Sequence, residues 1–179
     1  AGRTASCDAG VVVERVLRVL RRTPAGAAID WRSHGLDGLG LRIDVLPIEP
    51  LELGEGPLWD ARGGRFLLVD IHGSAIHAWT PGSAQTRRWD VPERIGWLIP
   101  RRDGDGFIAG LQSGFVRLWL EPALRIEAIG SPHAGQPAVR LNDAKADAQG
   151  RIWAGSMNND DHVSTDGRLA RLDADGSIH

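Results

Sequence analysis

Asp60-Ala61-Arg62-Gly63-Gly64-Arg65-Phe66-Leu67-Leu68-Val69-Asp70 is the stretch on which the reading of the fold turns. An Asp- and Gly-containing turn runs into a short apolar strand. Asp side chains bond to nearby backbone N–H groups, and Gly supplies the positive φ that a tight turn needs. The same arrangement returns twice downstream. Phe107-Ile108-Ala109-Gly110 follows Arg102-Asp103-Gly104-Asp105-Gly106, and Ile152-Trp153-Ala154-Gly155 follows Asp147-Ala148-Gln149-Gly150-Arg151. The spacings are 41 residues from Phe66 to Phe107 and 45 from Phe107 to Ile152. A further strand follows each: Ala75–Trp79, Phe115–Trp119 and 167–172. Ile76-His77-Ala78-Trp79 and Val116-Arg117-Leu118-Trp119 alternate with the two-residue period of a half-buried strand.

A repeat of ~40–50 residues with about four strands is the pattern of a β-propeller blade. Tandem hairpins of an open meander give the same pattern. Residues 46–179 hold about three such units, whereas a closed ring takes typically 4–8. The chain ends on Asp173-Ala174-Asp175-Gly176-Ser177-Ile178-His179, a turn entering a strand. The expected fold is therefore all-β, a partial β-propeller of about three blades, with further C-terminal blades expected outside this chain.

Residues 1–45 read differently. Asp8 is placed to cap a helix to about Arg22, with Val12, Val13, Val16, Val19 and Leu20 at helical spacing and Arg15, Arg18, Arg21 and Arg22 between them. Thr23-Pro24 stops it, and Gly26, Gly35, Gly38 and Gly40 mark a linker. Three readings stand: a solvated helix, an Arg-rich targeting segment, or upstream sequence that is not naturally translated. The first residue is Ala and the only Met is Met157, which leads us to expect a processed, trimmed or partial chain.

The net charge of −2 gives no electrostatic case for nucleic acid or an acidic membrane surface, and neither partner is expected. No apolar run approaches the ~20 residues of a membrane span. Cys7 is the only cysteine, so no internal disulfide forms; a reducing, cytoplasmic compartment is the expectation.

Three stretches carry candidate chemistry. They are Leu53-Gly54-Glu55-Gly56-Pro57-Leu58-Trp59-Asp60, the run Arg140-Leu141-Asn142-Asp143-Ala144-Lys145-Ala146-Asp147 continuing to Gly155-Ser156-Met157, and the loop Asn158-Asn159-Asp160-Asp161. Taken alone, Glu55 reads as a loop carboxylate, and Asn142-Asp143 as ordinary turn chemistry. Together with Val69-Asp70-Ile71, the three stretches closely resemble the regucalcin/gluconolactonase family, also called the senescence-marker-protein family. That family's pattern is Gly-Glu-x-Pro-x-Trp, then Val-Asp-Ile, then Arg-x-Asn-Asp-x-Lys-x-Asp-x-x-Gly-Arg-x-x-Ala-Gly-Thr-Met. The resemblance covers residues 46–179, and the long motif is its most specific part. Ser156 stands for the usual Thr and Ala144 for a common Gly.

The resemblance implies that the partial propeller is part of a six-bladed one, and it implies a metal-dependent hydrolysis of a sugar lactone to its aldonic acid. It implies one divalent cation (Ca, Zn, Mn or Mg), with Glu55 as a metal ligand. Carboxylate oxygen is a hard donor that suits such ions. It implies that Arg140 and Asn142 bind substrate: Asn offers both donor and acceptor, and Arg a planar fork of donors. Asp160 falls where the family has an acidic substrate contact, commonly Glu, and is one methylene shorter; Asp161 stands beside it. The remaining metal ligands, an Asn and an Asp that also acts as base, are expected beyond residue 179, so no catalytic base is assigned here. Asp143 and Asp147 read as structural turn residues. The alternative function is a non-catalytic propeller that binds a divalent metal such as calcium, or another ligand. As a monomer the chain by itself is expected to be inactive and poorly soluble or oligomeric.

Weaker signals carry less. His72 and His77 read as core or surface residues. Asp173-x-Asp175-Gly176 lacks the spacing of a calcium loop, and Ser113-Gly114 lacks a nucleophile elbow. Trp59, Trp79, Trp97, Trp119 and Trp153 recur near strand ends and read as core.

Overall fold

The computed structural model describes residues 46–102, 104–161 and 163–179. The strands are β1 (Gly54–Asp60), β2 (Arg65–Asp70), β3 (Ala75–Trp79), β4 (Thr86–Asp90), β5 (Ile95–Pro100), β6 (Phe107–Leu111), β7 (Phe115–Trp119), β8 (Arg125–Gly130), β9 (Val139–Ala146), β10 (Ile152–Asn158) and β11 (Leu169–Leu172). They form three antiparallel meanders in chain order: β1-β2-β3-β4, β5-β6-β7-β8 and β9-β10-β11.

The three turn-strand repeats are the second strands of these sheets, and the strands expected after them are β3, β7 and β11. The Asp residues hold the turns as their chemistry requires. Asp60 accepts from Gly63 N at 3.1 Å and from Arg65 Nε at 3.0 Å. Asp147 accepts from the backbone N of Gln149 and of Arg151, both at 3.0 Å. Asp70 caps a different turn. Its buried carboxylate accepts from Glu52 N, Leu53 N and Gly73 N at 3.0, 2.9 and 3.0 Å.

The expectation of a partial six-bladed propeller is corrected for the described residues. The described residues are all-β, with no helix among them, and each sheet is open, with no closure or curling of one onto itself. The physical reason is that hairpin periodicity fixes which strands pair, a local matter, but not whether sheets close a ring. The helix read at Asp8–Arg22 and the Gly-rich linker lie outside the described residues. Among the described residues no helix is long and apolar enough to cross a membrane.

Two cores separate the sheets. Leu67, Val69, Ile71 and Ile76 of the first meet Ile95, Leu98, Phe107 and Ala109 of the second. Trp97 and Phe115 of the second meet Leu141, Ala144, Ile152 and Ala154 of the third. The middle sheet thus buries both faces, which is why β5 reads as a continuous apolar run rather than an alternating one. The reading of the tryptophans as core holds for Trp97, 2% exposed, but not for Trp59 and Trp153, at 43% and 36%. Trp59 instead packs its ring on Phe66, and Trp153 donates Nε1–H to Asp147 at 3.0 Å.

Candidate functional site

The first strand of each sheet carries one extra residue opposite the second strand. In β1 the register slips between Glu55 and Leu58, in β5 at Gly96, and in β9 at Asn142. A bulge leaves a residue outside the ladder and re-aims its side chain. It also shifts the alternation: Ile95 and Leu98, three apart, share the first core, and Leu141 and Ala144, three apart, share the second.

The sheets approach one another closely at the bulges. Gly56 takes a φ of 57°, and a Cβ built on it would lie 3.6 Å from Gly96 O. A Cβ on Gly96 would meet Leu141 O at 2.7 Å and Asn142 O at 2.8 Å. Only a glycine admits that approach. The bulged ends of β1, β5 and β9 therefore stand side by side, and with them the residues that flank the bulges: Glu55, Arg94, Arg140 and Asn142.

Arg140 is the centre of this group. It is 4% exposed. Its Nε donates to Asn159 Oδ1 at 3.1 Å, and Nη1 donates to Asn142 Oδ1 at 2.7 Å and to Leu141 O at 3.2 Å. Nη2 donates to Met157 Sδ at 3.2 Å. Burial lowers its pKa, the charge of Arg94 lowers it further, and the carboxylate of Glu55 pulls the other way. Arg94 and Glu55 are thus both within electrostatic reach of the Arg140 guanidinium.

The structure brings Glu55, Arg140 and Asn142 together and joins Asp160 to them less directly. Asn159 is the link, accepting from Arg140 and donating Nδ2–H to Asp160 Oδ1 at 3.4 Å. Asn158 shapes the turn, its Oδ1 accepting from the backbone N of Asp160 and of Asp161, each at 2.9 Å. Asp160 is exposed and Asp161 is turned to Val163 N at 3.1 Å. Asp143 is exposed and pairs with Lys145 at 2.9 Å, a local contact.

Sequence reading gave no role to Asn159 or Arg94. Asn159 lies in the polar loop beside Asp160, and that adjacency was the available signal. Arg94 belongs to no motif. Only the bulge at Gly96 identifies it, as the residue in the second sheet at the position Arg140 holds in the third. The fork expected of Arg140 is also largely consumed within the protein. Guanidinium has five N–H donors; four serve Asn159, Asn142, Leu141 and Met157.

Among the described residues no three His, Cys, Asp or Glu side chains group closely enough to hold a metal ion. Glu55 supplies one carboxylate, within electrostatic reach of the Arg140 guanidinium, which opposes a cation. These residues by themselves do not fit a resident metal.

Residues 53–179 match the family described as the SMP-30/Gluconolactonase/LRE-like region, and the chain belongs to that family. It is 32% identical over 127 residues to a 6-deoxy-6-sulfogluconolactonase of Pseudomonas putida, covering 71% of this chain and 43% of the relative. The solved luciferin-regenerating enzyme superposes with a TM-score of 0.69 at 27% identity, over 75% of this chain and 47% of that one. A solved calcium-binding protein, the regucalcin of Agrobacterium tumefaciens, superposes with a TM-score of 0.65 over 73% of this chain and 43% of that one; at 20% identity the likeness is one of fold. The chain spans less than half the length of these relatives.

Proposed function

We propose that this chain forms the substrate-orienting side of a sugar-lactone hydrolase. The observation that carries the reading is the hydrogen-bonded line Asn142–Arg140–Asn159–Asp160 beside Glu55. In the reaction water adds to the lactone carbonyl carbon, the ring C–O bond breaks, and the ring oxygen leaves as a hydroxyl. Arg140 holds Asn142 Oδ1, which turns the amide Nδ2–H groups outward as donors to a sugar oxygen. Its buried positive charge favours the oxyanion that develops at the carbonyl. Asp160, exposed on its turn, accepts from sugar hydroxyls.

Glu55 is proposed as one ligand of a divalent cation, which would polarise the carbonyl and acidify water when bound. Ca, Zn, Mn and Mg are the ions to test, and relatives of this fold include a calcium-binding protein. Such a site needs ligands beyond those the described residues group together, so no step is derived through it.

The test is hydrolysis of D-glucono-1,5-lactone by the full-length protein, followed by pH indicator, with each of the four metals in turn. We expect a rate above the spontaneous one, lowered about 10- to 100-fold in Asn142→Ala, from the ~1–3 kcal/mol of an unmade hydrogen bond. A rate equal to the spontaneous one with every metal refutes the hydrolase. A second reading is ligand binding without catalysis. Saturable lactone binding without turnover would establish it.

A further inference from the structure

Among the described residues, the bulged ends of β1, β5 and β9 bring together Arg94, Arg140 and Glu55, and both Arg94 and Glu55 lie within electrostatic reach of the Arg140 guanidinium. Arg140 is buried, and its hydrogen bonds among the described residues run to neutral acceptors: two Asn side chains, a backbone carbonyl and a thioether. Burying a cation on neutral partners is costly, and a second cation beside it adds to the cost. Glu93, next to Arg94 in sequence, does not cancel this charge, because its carboxylate is taken up by Ser113 N and Oγ. Asp160 lies further out and reaches Arg140 through the Asn159 amide.

The placement of Arg94 follows from the backbone. Arg94 precedes Ile95 as Arg140 precedes Leu141, and each apolar residue is followed by the bulge of its strand. Ile95 lies in the core shared with the first sheet, so the period of two puts Arg94 on the opposite face, towards the third. Gly96 lies against Leu141 O and Asn142 O, which makes the two strands immediate neighbours at this level. The Arg94 carbonyl accepts from Gln112 N at 2.8 Å, which anchors its main chain to the start of the next hairpin. Arg94 is half-buried.

Resting on the lactone-binding reading and naming its substrate class, we propose that Arg94 is a specificity residue that selects sugar lactones carrying an anionic group, carboxylate, sulfonate or phosphate, over neutral ones. The anion takes the place beside Arg94 and the remaining Nη2–H of Arg140, while Asn142 holds the ring. Arg suits this role because its charge is permanent and its planar fork matches such oxygens.

The test compares two lactones that differ at C6 only: D-glucaro-1,4-lactone, a carboxylate, and D-glucono-1,4-lactone, a neutral alcohol. Binding is read by titration calorimetry, without need of turnover. The protein is expected to bind the glucaro compound at least ~10-fold more tightly, as one charge-assisted contact supplies. Arg94→Ala and Arg94→Gln reduce that ratio to about 1–3 while leaving the glucono affinity within about 2-fold, and Arg94→Lys recovers part of it. Raising salt from about 50 to about 500 mM weakens glucaro binding in the parent and not in Arg94→Gln. No preference in the parent, or a preference that survives in both neutral variants, overturns the inference. Preference without hydrolysis refutes the hydrolase and leaves the inference standing; hydrolysis without preference does the reverse. Failure of either lactone to bind overturns both.

Discussion

Gly96→Ala tests whether the sheets meet as described. A methyl at residue 96 would sit 2.7 Å from Leu141 O and 2.8 Å from Asn142 O. A relaxed carbon–oxygen contact is about 3.3 Å or more, so β5 and β9 must separate by roughly 0.5 Å. Both obstructing atoms are backbone, and neither can swing aside as a side chain would. Overpacking of this kind costs ~1–3 kcal/mol. At about 2–4 °C per kcal/mol for a chain of this size, the melting midpoint falls by several degrees. The same displacement moves Asn142 and Arg140 relative to Glu55 and Arg94, so lactone affinity falls as well. The control is Gly155→Ala in β10, where an added Cβ meets nothing within 4 Å and φ is not positive. It should be neutral or stabilising by ~0.4–1 kcal/mol. Calorimetric melting and lactone titration of both variants decide the matter. If Gly96→Ala melts with Gly155→Ala and binds like the parent, β5 and β9 are not in contact and the site does not exist as assembled.

Asp70→Asn replaces one buried carboxylate oxygen by an N–H donor, so at least one of the N–H groups of Glu52, Leu53 and Gly73 loses its acceptor, and it should cost ~1–3 kcal/mol in urea unfolding. Burial pushes the Asp70 carboxyl up, but those backbone bonds and the nearby His77 outweigh it, and its pKa is lowered. A lowered folded-state value means that its stabilisation is complete above the unfolded pKa of about 3.9 and is lost as pH falls through the folded value. The variant should flatten that acid limb; an unchanged limb contradicts the capping role. Asn159→Ala removes the acceptor of Arg140 Nε and the donor to Asp160, and should lower stability by about 1–2 kcal/mol and weaken lactone binding together. Loss of stability with unchanged affinity would show that Asp160 needs no link to Arg140.

Strand positions were legible because they are written locally. Asp and Gly close the turns, and the second and third strands of the first two sheets alternate or run apolar over five or six residues. The outer strands gave no such signal. β4 is Thr86-Arg87-Arg88-Trp89-Asp90 with a single buried residue, and β8 has none, so neither carries a period that marks a strand. The relation of one sheet to another was not legible either, and the ring read from the repeat did not follow. The bulges explain why the site was half seen. Asn142 and Glu55 stand in recognisable motifs, but their neighbours across the sheet boundary are chosen by register slips that no residue type announces.

The same slips tie packing to charge. With strict alternation, Ile95 would share a face with Trp97 and Ile99, and Arg94 would point into the core with the first sheet. One extra residue at Gly96 reverses both: Ile95 joins Leu98 in the apolar layer, and Arg94 turns to the other side. In the third sheet the extra residue at Asn142 does the same for Leu141 and Arg140. Glu55 stands at the corresponding bulge of the first sheet, where a carboxylate takes the place that Ile95 and Leu141 hold. The charges at the site are therefore set by which residues flank three equivalent bulges, while the bodies of the strands are fixed by the two cores. Substituting Arg94 leaves those cores intact and should change ligand choice alone; substituting Gly96 disturbs stability and ligand choice at once, because one backbone position determines both.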